Sequence, residues 1–154
     1  MSDAWMTTAV RPEDRARWDE LYIAYGDFYE TPMPPDKLDR VWGWLADPAH
    51  VLNAVVLRHR PDGQAMGLAH YRPYPRPLRG TVSCFLDDLF VDPAVRGTGA
   101  VDALLGELAR IAGRNGWDGV RWITRESNRV ARSAYDRLAS QTDLVTYELP
   151  ASRS

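Results

Sequence analysis

The chain has 154 residues, 45% of them hydrophobic and 26% charged, a composition that fits one folded domain and argues against wholesale disorder. Its 19 Lys and Arg nearly balance 21 Asp and Glu, for a net charge of −2, so it lacks the basic surface with which a general nucleic-acid binder displaces counterions. No apolar run approaches the ~20 residues of a membrane span, the first residues lack a signal-peptide layout, and the lone Cys84 rules out an intrachain disulfide and fits a reducing cytoplasm.

Residues 5–10 read as a first strand. Pro12 suits the first turn of a helix, with Glu13 and Asp14 placed well against its dipole. Trp18, Leu21, Tyr22 and Tyr25 follow at helical spacing. After the break at Thr31–Pro35, a second helix carries Leu38, Val41, Trp42 and Leu45 on one face and stops near Asp47-Pro48. A hairpin is predicted next, from Val51 to Arg58 and from Met66 to Arg72, turning at Pro61-Asp62-Gly63. Pro73 to Pro77 reads as a loop, and a longer strand runs from about Thr81 to Val91. A helix over about 99–114 carries Val101, Leu104, Leu105, Leu108, Ile111 and Ala112 on one side. A short strand at 120–124, a helix at 129–138 and a strand at 144–149 complete the pattern. A helix between strands implies a crossover, so at least one strand pair should be parallel. The expected fold is α/β, a single domain with a mixed central sheet flanked by helices.

The most informative segment is Asp92-Pro93-Ala94-Val95-Arg96-Gly97-Thr98-Gly99-Ala100-Val101. A strand ends there and a glycine loop opens a helix. Glycines let backbone N–H groups turn toward an anion, and the helix dipole adds positive potential; Arg96 adds a full charge. A Walker A loop needs Lys and then Ser or Thr after its last glycine, and Ala100 excludes it. The dinucleotide pattern fits Gly97-x-Gly99 but meets Asp102 at its third glycine.

A third pattern, R-x-x-G-x-G/A, fits Arg96 and Gly99. With it stand Leu86-Asp87-Asp88-Leu89-Phe90-Val91-Asp92-Pro93 upstream and Asn128-x-x-Ala131-x-x-x-Tyr135-Asp136-Arg137-Leu138 downstream. On these three motifs, in this order, the chain resembles the GNAT acetyltransferases from about Met6 to Leu149. Its strand and early aromatic helix look like the small-amine and polyamine branch.

The resemblance implies direct acetyl transfer from acetyl-CoA to a primary amine. The loop from Arg96 through Gly97, Thr98, Gly99, Ala100 and Val101 would hold the pyrophosphate. Backbone amides of Leu89, Phe90 and Val91 would hold the pantetheine and polarise the thioester, and Asn128 would bond the pantetheine arm. An alkylammonium near pKa ~10 must lose a proton before it attacks. Asp87 ranks first for that role and Asp88 second, because a strand sends neighbours to opposite faces unless a bulge intervenes. Tyr135, two helical turns after Asn128, would protonate the leaving thiolate.

Eight of the 16 aromatic residues lie in the first third of the chain. Most of Trp18, Tyr22 and Tyr25 reads as core, while Phe28, Tyr29 and Glu30 are the better candidates for the wall of a cationic-amine pocket. His50, His59 and His70 show no metal-ligand spacing, and Cys84 reads as a buried structural thiol. The chain departs from the family at Val101, where Gly or Ala is usual, and at Leu138-Ala139-Ser140, where a Gly-aromatic pair is common. Two other readings keep the fold: a non-catalytic acyl-CoA-binding or regulatory module, and a protein lysine or N-terminal acetyltransferase. The expected partners are a small-molecule amine and a second copy in a homodimer, with no nucleic acid, membrane or metal.

Overall fold

A computed structural model describes residues 4–153. The chain forms two compact units, a larger one ending at Ile123 and a smaller one beginning at Thr124.

The larger unit is built on a five-strand sheet in the order β1-β2-β3-β4-β5. Its strands are β1 (Trp5–Ala9), β2 (Asn53–His59), β3 (Ala65–Arg76), β4 (Thr81–Val91) and β5 (Val120–Arg121). Neighbours are antiparallel except β4 and β5, which are parallel. That pair flanks the helix α3 (Ala100–Arg114), which is the crossover expected from the alternation of elements. Helices α1 (Arg15–Phe28) and α2 (Pro35–Ala46) cover one face of the sheet. There Trp18, Leu21, Leu38 and Val41 pack with Leu68 of β3 and Phe90 of β4. On α3, Leu104, Leu105, Leu108, Ile111 and Ala112 are buried, and α3 packs against all five strands.

The Pro73–Pro77 stretch is not a loop throughout: β3 runs on to Arg76, with Pro73 opposite Cys84 and Pro75 opposite Val82. Pairing with β2 ends at Tyr71, so beyond it one edge of β3 is unpaired among the described residues. Two prolines spaced two apart direct their missing donors to the same edge, where a ladder hydrogen bond is not lost.

Close approach of backbones requires Gly67. A Cβ there would lie 2.9 Å from the carbonyl oxygen of Phe90 and 3.1 Å from Val91 Cγ1. Gly67→Ala is therefore expected to destabilise the protein by about 1–3 kcal/mol through overpacking against a backbone that cannot rotate away. A urea melt of the variant measures it.

A buried ion pair ties the first turn to the sheet. Asp14 closes a 3₁₀ turn (Pro12–Asp14) ahead of α1. Arg58 of β2 donates to both its carboxylate oxygens at 2.9 and 2.7 Å, and to Thr8 Oγ1 at 2.9 Å. Asp14 also accepts the N–H of Arg11 at 2.7 Å.

In the smaller unit α4 (Arg129–Leu138) stands where a helix was predicted. The strand expected at 144–149 is absent: residues 141–153 have no regular secondary structure. Its apolar residues alternate, but a strand needs a partner to bond. None pairs with this segment among the described residues, and Val145, Tyr147 and Leu149 are exposed. The predicted strand at 120–124 likewise shortens to two residues, because only Val120 and Arg121 find partners on β4.

Candidate active site

The two neighbouring carboxylates of β4 sit at a break in the ladder. His70 pairs with Asp88 and Tyr71 with Leu86, so Asp87 is an extra residue with no partner on β3. A bulge of this kind bends its strand and resets the alternation. Upstream, Phe85 faces the side of Arg72, whose guanidinium lies 4.9 Å from its ring. Downstream, Asp88 faces His70. Arg72 and His70 are two apart on β3 and share one face, so Asp87 and Asp88 both point to the α1 side. Simple alternation had separated them.

Their surroundings differ. Asp87 is exposed and paired with Arg72, Nε to Oδ2 at 3.0 Å. Asp88 is half-buried beneath α1. Its Oδ2 accepts the Tyr22 hydroxyl at 3.0 Å and faces His70 Nδ1 at 2.8 Å. Tyr25 bonds the same carboxylate. Burial pushes the Asp88 carboxyl up, but hydrogen bonds from His70, Tyr22 and Tyr25 outweigh it and hold it below the usual carboxylate range. Burial, and then the Asp88 charge, push the Tyr22 and Tyr25 hydroxyls far above theirs, so both stay protonated and donate. Three donors leave a carboxylate room for about one more.

The aromatic helix supplies this cage. Tyr22 stacks on Tyr25 with centroids 5.9 Å apart, Tyr25 meets Tyr29 at 5.0 Å, and Tyr29 meets Phe28 at 4.9 Å. Trp18 is core, as expected. Tyr22 and Tyr25 are more than core, since their hydroxyls reach Asp88. Phe28 is exposed at the end of α1, and Glu30, also exposed, follows it with φ 54°. Sequence reasoning missed Tyr22, Tyr25 and His70 as site residues. A trace of the signal is there: His70 lies two residues after Leu68, on the face of β3 that should be apolar.

The glycine loop follows directly. Asp92 caps the 3₁₀ turn Pro93–Val95 by accepting the Ala94 N–H at 2.9 Å. Arg17 of α1 donates to its Oδ2 at 2.8 Å. These contacts, first the Ala94 N–H and then Arg17, hold Asp92 below the usual carboxylate range. Trp5 donates to the Thr98 carbonyl at 3.2 Å, which anchors the loop to β1. Gly97 and Gly99 have φ of 76° and 86°, the left-handed region that disfavours any side chain. A Cβ on either would meet no atom within 4 Å, so the backbone there is open to a ligand. Gly99 begins α3 without a side-chain cap, leaving the first helical N–H groups for an anion. Arg96 is exposed beside them, Ala100 is buried, and Val101 is half-buried in the first turn.

Beyond Phe85, β5 no longer pairs with β4. Leu89, Phe90 and Val91 therefore have no strand beside them on that side among the described residues. Cys84 is fully buried, and burial followed by the Asp87 charge pushes its thiol up to about 11, against any nucleophilic role.

In the smaller unit Asn128 precedes α4. Its Nδ2 donates to Thr124 Oγ1 at 3.3 Å, and its carbonyl accepts the Arg132 N–H at 3.0 Å. Tyr135 is half-buried two turns later. An open depression in this unit is lined by Glu126, Ser127, Arg129, Arg132, Ser133 and Asp136, none of them a predicted site residue. No cluster of metal-ligating side chains occurs among the described residues, and no described helix is long and apolar enough to cross a membrane.

The profile of the acetyltransferase (GNAT) family matches residues 18–139, from the aromatic helix through the glycine loop to the end of α4. The chain belongs to the GNAT acetyltransferase family. It is 27% identical over 148 residues to a D-amino-acid N-acetyltransferase of Saccharomyces cerevisiae, covering 96% of this chain and 92% of that one. Among solved structures it is similar to a ribosomal-protein-alanine N-acetyltransferase from Brucella melitensis biovar Abortus 2308, with a TM-score of 0.79, 20% identity, and coverage of 96% and 99%. It is also similar to an aminoglycoside N-acetyltransferase in complex with CoA, with a TM-score of 0.82, 17% identity, and coverage of 99% and 98%. The structural likenesses show the GNAT fold. As a GNAT acetyltransferase the protein takes its acetyl group from acetyl-CoA, and the open glycine backbone, uncapped helix start and exposed Arg96 fit the pyrophosphate of that cofactor.

Proposed function

We propose that this GNAT protein acetylates a small cationic primary amine, with Asp88 as the carboxylate that receives it. The observation that carries this reading is the environment of the two β4 carboxylates. Asp88 is held charged within a tyrosine cage and keeps an acceptor site, a setting that favours a cation. Asp87 is already neutralised by Arg72, whose guanidinium would repel an approaching ammonium. The amine acetyltransferases among its relatives, one acting on D-amino acids and one on aminoglycosides, support an amine acceptor.

Acetyl-CoA supplies an activated thioester carbonyl. The chain's own groups do the rest. Amides of the loop from Arg96 to Val101 hold the pyrophosphate. Amides of Leu89, Phe90 and Val91 bond the pantetheine and stabilise the developing oxyanion. Asn128 bonds the pantetheine arm. Phe28, Tyr29 and Glu30 line the approach of the amine. Asp88, with Asp87 as the rival carboxylate, orients the ammonium and helps remove its proton, directly or through water. Tyr135 gives a proton to the thiolate. The protein works in the cytoplasm as a homodimer.

Calorimetry with acetyl-CoA, followed by thiol release across a panel of primary amines, tests the reading. We expect cofactor binding, turnover with small cationic amines, and a Tyr135→Phe variant that binds acetyl-CoA as well as the parent but turns over about 10- to 100-fold more slowly. No binding at millimolar acetyl-CoA sinks the reading. Binding without transfer to any amine would instead identify an acyl-CoA-binding module, and transfer only to peptides would identify a protein acetyltransferase.

A further inference from the structure

Behind Asp88 lies a titratable side chain that the mechanism above does not use. His70 is 0% exposed, and both its ring nitrogens are engaged. Trp18 Nε1 lies 3.0 Å from Nε2, and Asp88 Oδ2 lies 2.8 Å from Nδ1. An indole N–H can only donate, so Nε2 must accept. A ring that accepts at Nε2 carries its proton on Nδ1, aimed at the carboxylate. The Trp18 ring also packs 5.8 Å from the His70 ring, and Tyr22 meets His70 edge-on at 4.8 Å. The imidazole is thus clamped in plane and in tautomer by α1.

We propose that His70 is a positioning residue for acetyl transfer: clamped by Trp18, it donates Nδ1–H to Asp88 and presents that carboxylate, oriented and charged, to the acceptor amine. The proposal rests on the reading of Asp88 as the amine's partner. Any buried imidazole must satisfy both ring nitrogens. Here the one-way chain from indole to imidazole to carboxylate ends on the anion proposed to meet the substrate. Partners that orient a metal ligand typically alter activity by about 10- to 100-fold when removed, and an effect of that size is expected for a residue that orients Asp88.

The groups facing Asp88 are few. Tyr22 and Tyr25 approach from α1, His70 from β3, and Asp87 with its partner Arg72 stand beside it. Arg15 lies 5.8 Å from the Trp18 indole ring. Neither tyrosine titrates in the working range, so loss of His70 should move Asp88 alone. Burial would remain while a donor to the charged form is gone, which raises its titration.

The test compares His70→Leu with His70→Asn, whose side-chain amide can place a donor where Nδ1–H stood. His70→Leu is expected to lower kcat/KM for the amine by about 10- to 100-fold and leave the KM for acetyl-CoA unchanged. It should also raise the titration of Asp88, read by carbon-13 resonance, by about one pH unit. His70→Asn should recover most of both losses. A folded His70→Leu protein in which Asp88 titrates as in the parent, or a His70→Asn protein as impaired as His70→Leu, overturns the proposal.

Nuclear magnetic resonance of the parent protein provides a readout independent of catalysis and of variant folding. Nitrogen-15 shifts should show His70 protonated at Nδ1 and not at Nε2, and the opposite tautomer overturns the proposal. If the parent acetylates no amine, the functional reading fails, and the tautomer together with the carbon-13 titration of Asp88 in His70→Asn decides the fate of the pair separately.

Discussion

Replacing Asp88 by Asn should lower kcat/KM for the amine by about 10²- to 10³-fold, while acetyl-CoA binding measured by calorimetry stays at the parental level. Asp87→Asn should cost less than about tenfold, because it removes a charge that Arg72 already neutralises. The contrast follows from the bulge. Both carboxylates reach the same face, but only Asp88 is desolvated enough for its charge to matter and bonded enough to keep it. Its pH behaviour has a definite sign. The folded-state carboxyl lies below the usual carboxylate range, so Asp88 remains charged from neutrality down to that range, and its protonation takes no activity away above about pH 5. The rise in rate with pH should then track the amine losing its proton. Equal damage from the two Asn variants would show that the site does not distinguish its carboxylates in this way.

The second large effect concerns stability. Arg58→Ala should destabilise the protein by about 3–5 kcal/mol, because it strands the Asp14 carboxylate in the interior. Their side chains are each only 7% exposed, so water cannot replace the lost partner. The double variant Asp14→Leu with Arg58→Met should be less destabilised than Arg58→Ala, since breaking such a pair costs more than removing it. Burial raises the Asp14 carboxyl, but the Arg58 hydrogen bonds and the Arg11 N–H outweigh it and leave it lowered. A lowered folded value means that the pair's contribution is complete above the ordinary Asp value and fades as pH falls through the folded one. As pH falls below about 4, the parent should therefore lose stability more steeply than the double variant, which lacks the titrating group. Parallel melts at all pH values would remove Asp14 from the acid response.

The glycine loop and the carboxylate doublet differ in how far they are legible in the sequence. The glycine loop was legible because its chemistry is local: Arg96, Gly97 and Gly99 sit within four residues, and positive φ at two of them is what glycine permits. The doublet Asp87-Asp88 was legible as a pair, and so was the possibility of a bulge. Which carboxylate would meet Arg72 and which His70 was not legible, because that depends on a register set by β3. Tyr22 and Tyr25 read as packing because spacing reports the face of a helix and not where a hydroxyl ends. His70 was invisible for a related reason. Its meaning comes from Trp18, 52 residues away, and from Asp88, 18 residues away. Secondary structure failed where partners decide it. The strand expected at 144–149 has the right alternation and no partner strand among the described residues. Pro73 and Pro75 look like loop residues until β2 ends beside them.

The bulge at Asp87 has a further consequence. Leu86 and Asp88 already occupy opposite faces, opposite Tyr71 and His70. Deleting Asp87 would therefore heal the ladder and return every inward side chain to its place. Packing gains nothing from the extra residue, which is one link of slack in an otherwise continuous strand. It falls just past Phe85, the last residue of β4 that β5 pairs with. A straighter β4 would serve the core equally well. What it would lose is a second carboxylate on the α1 face and the bend that accompanies the end of parallel pairing. The protein thus separates two demands along a single strand, regular pairing upstream and an irregular, ligand-facing stretch downstream, with one residue marking the boundary.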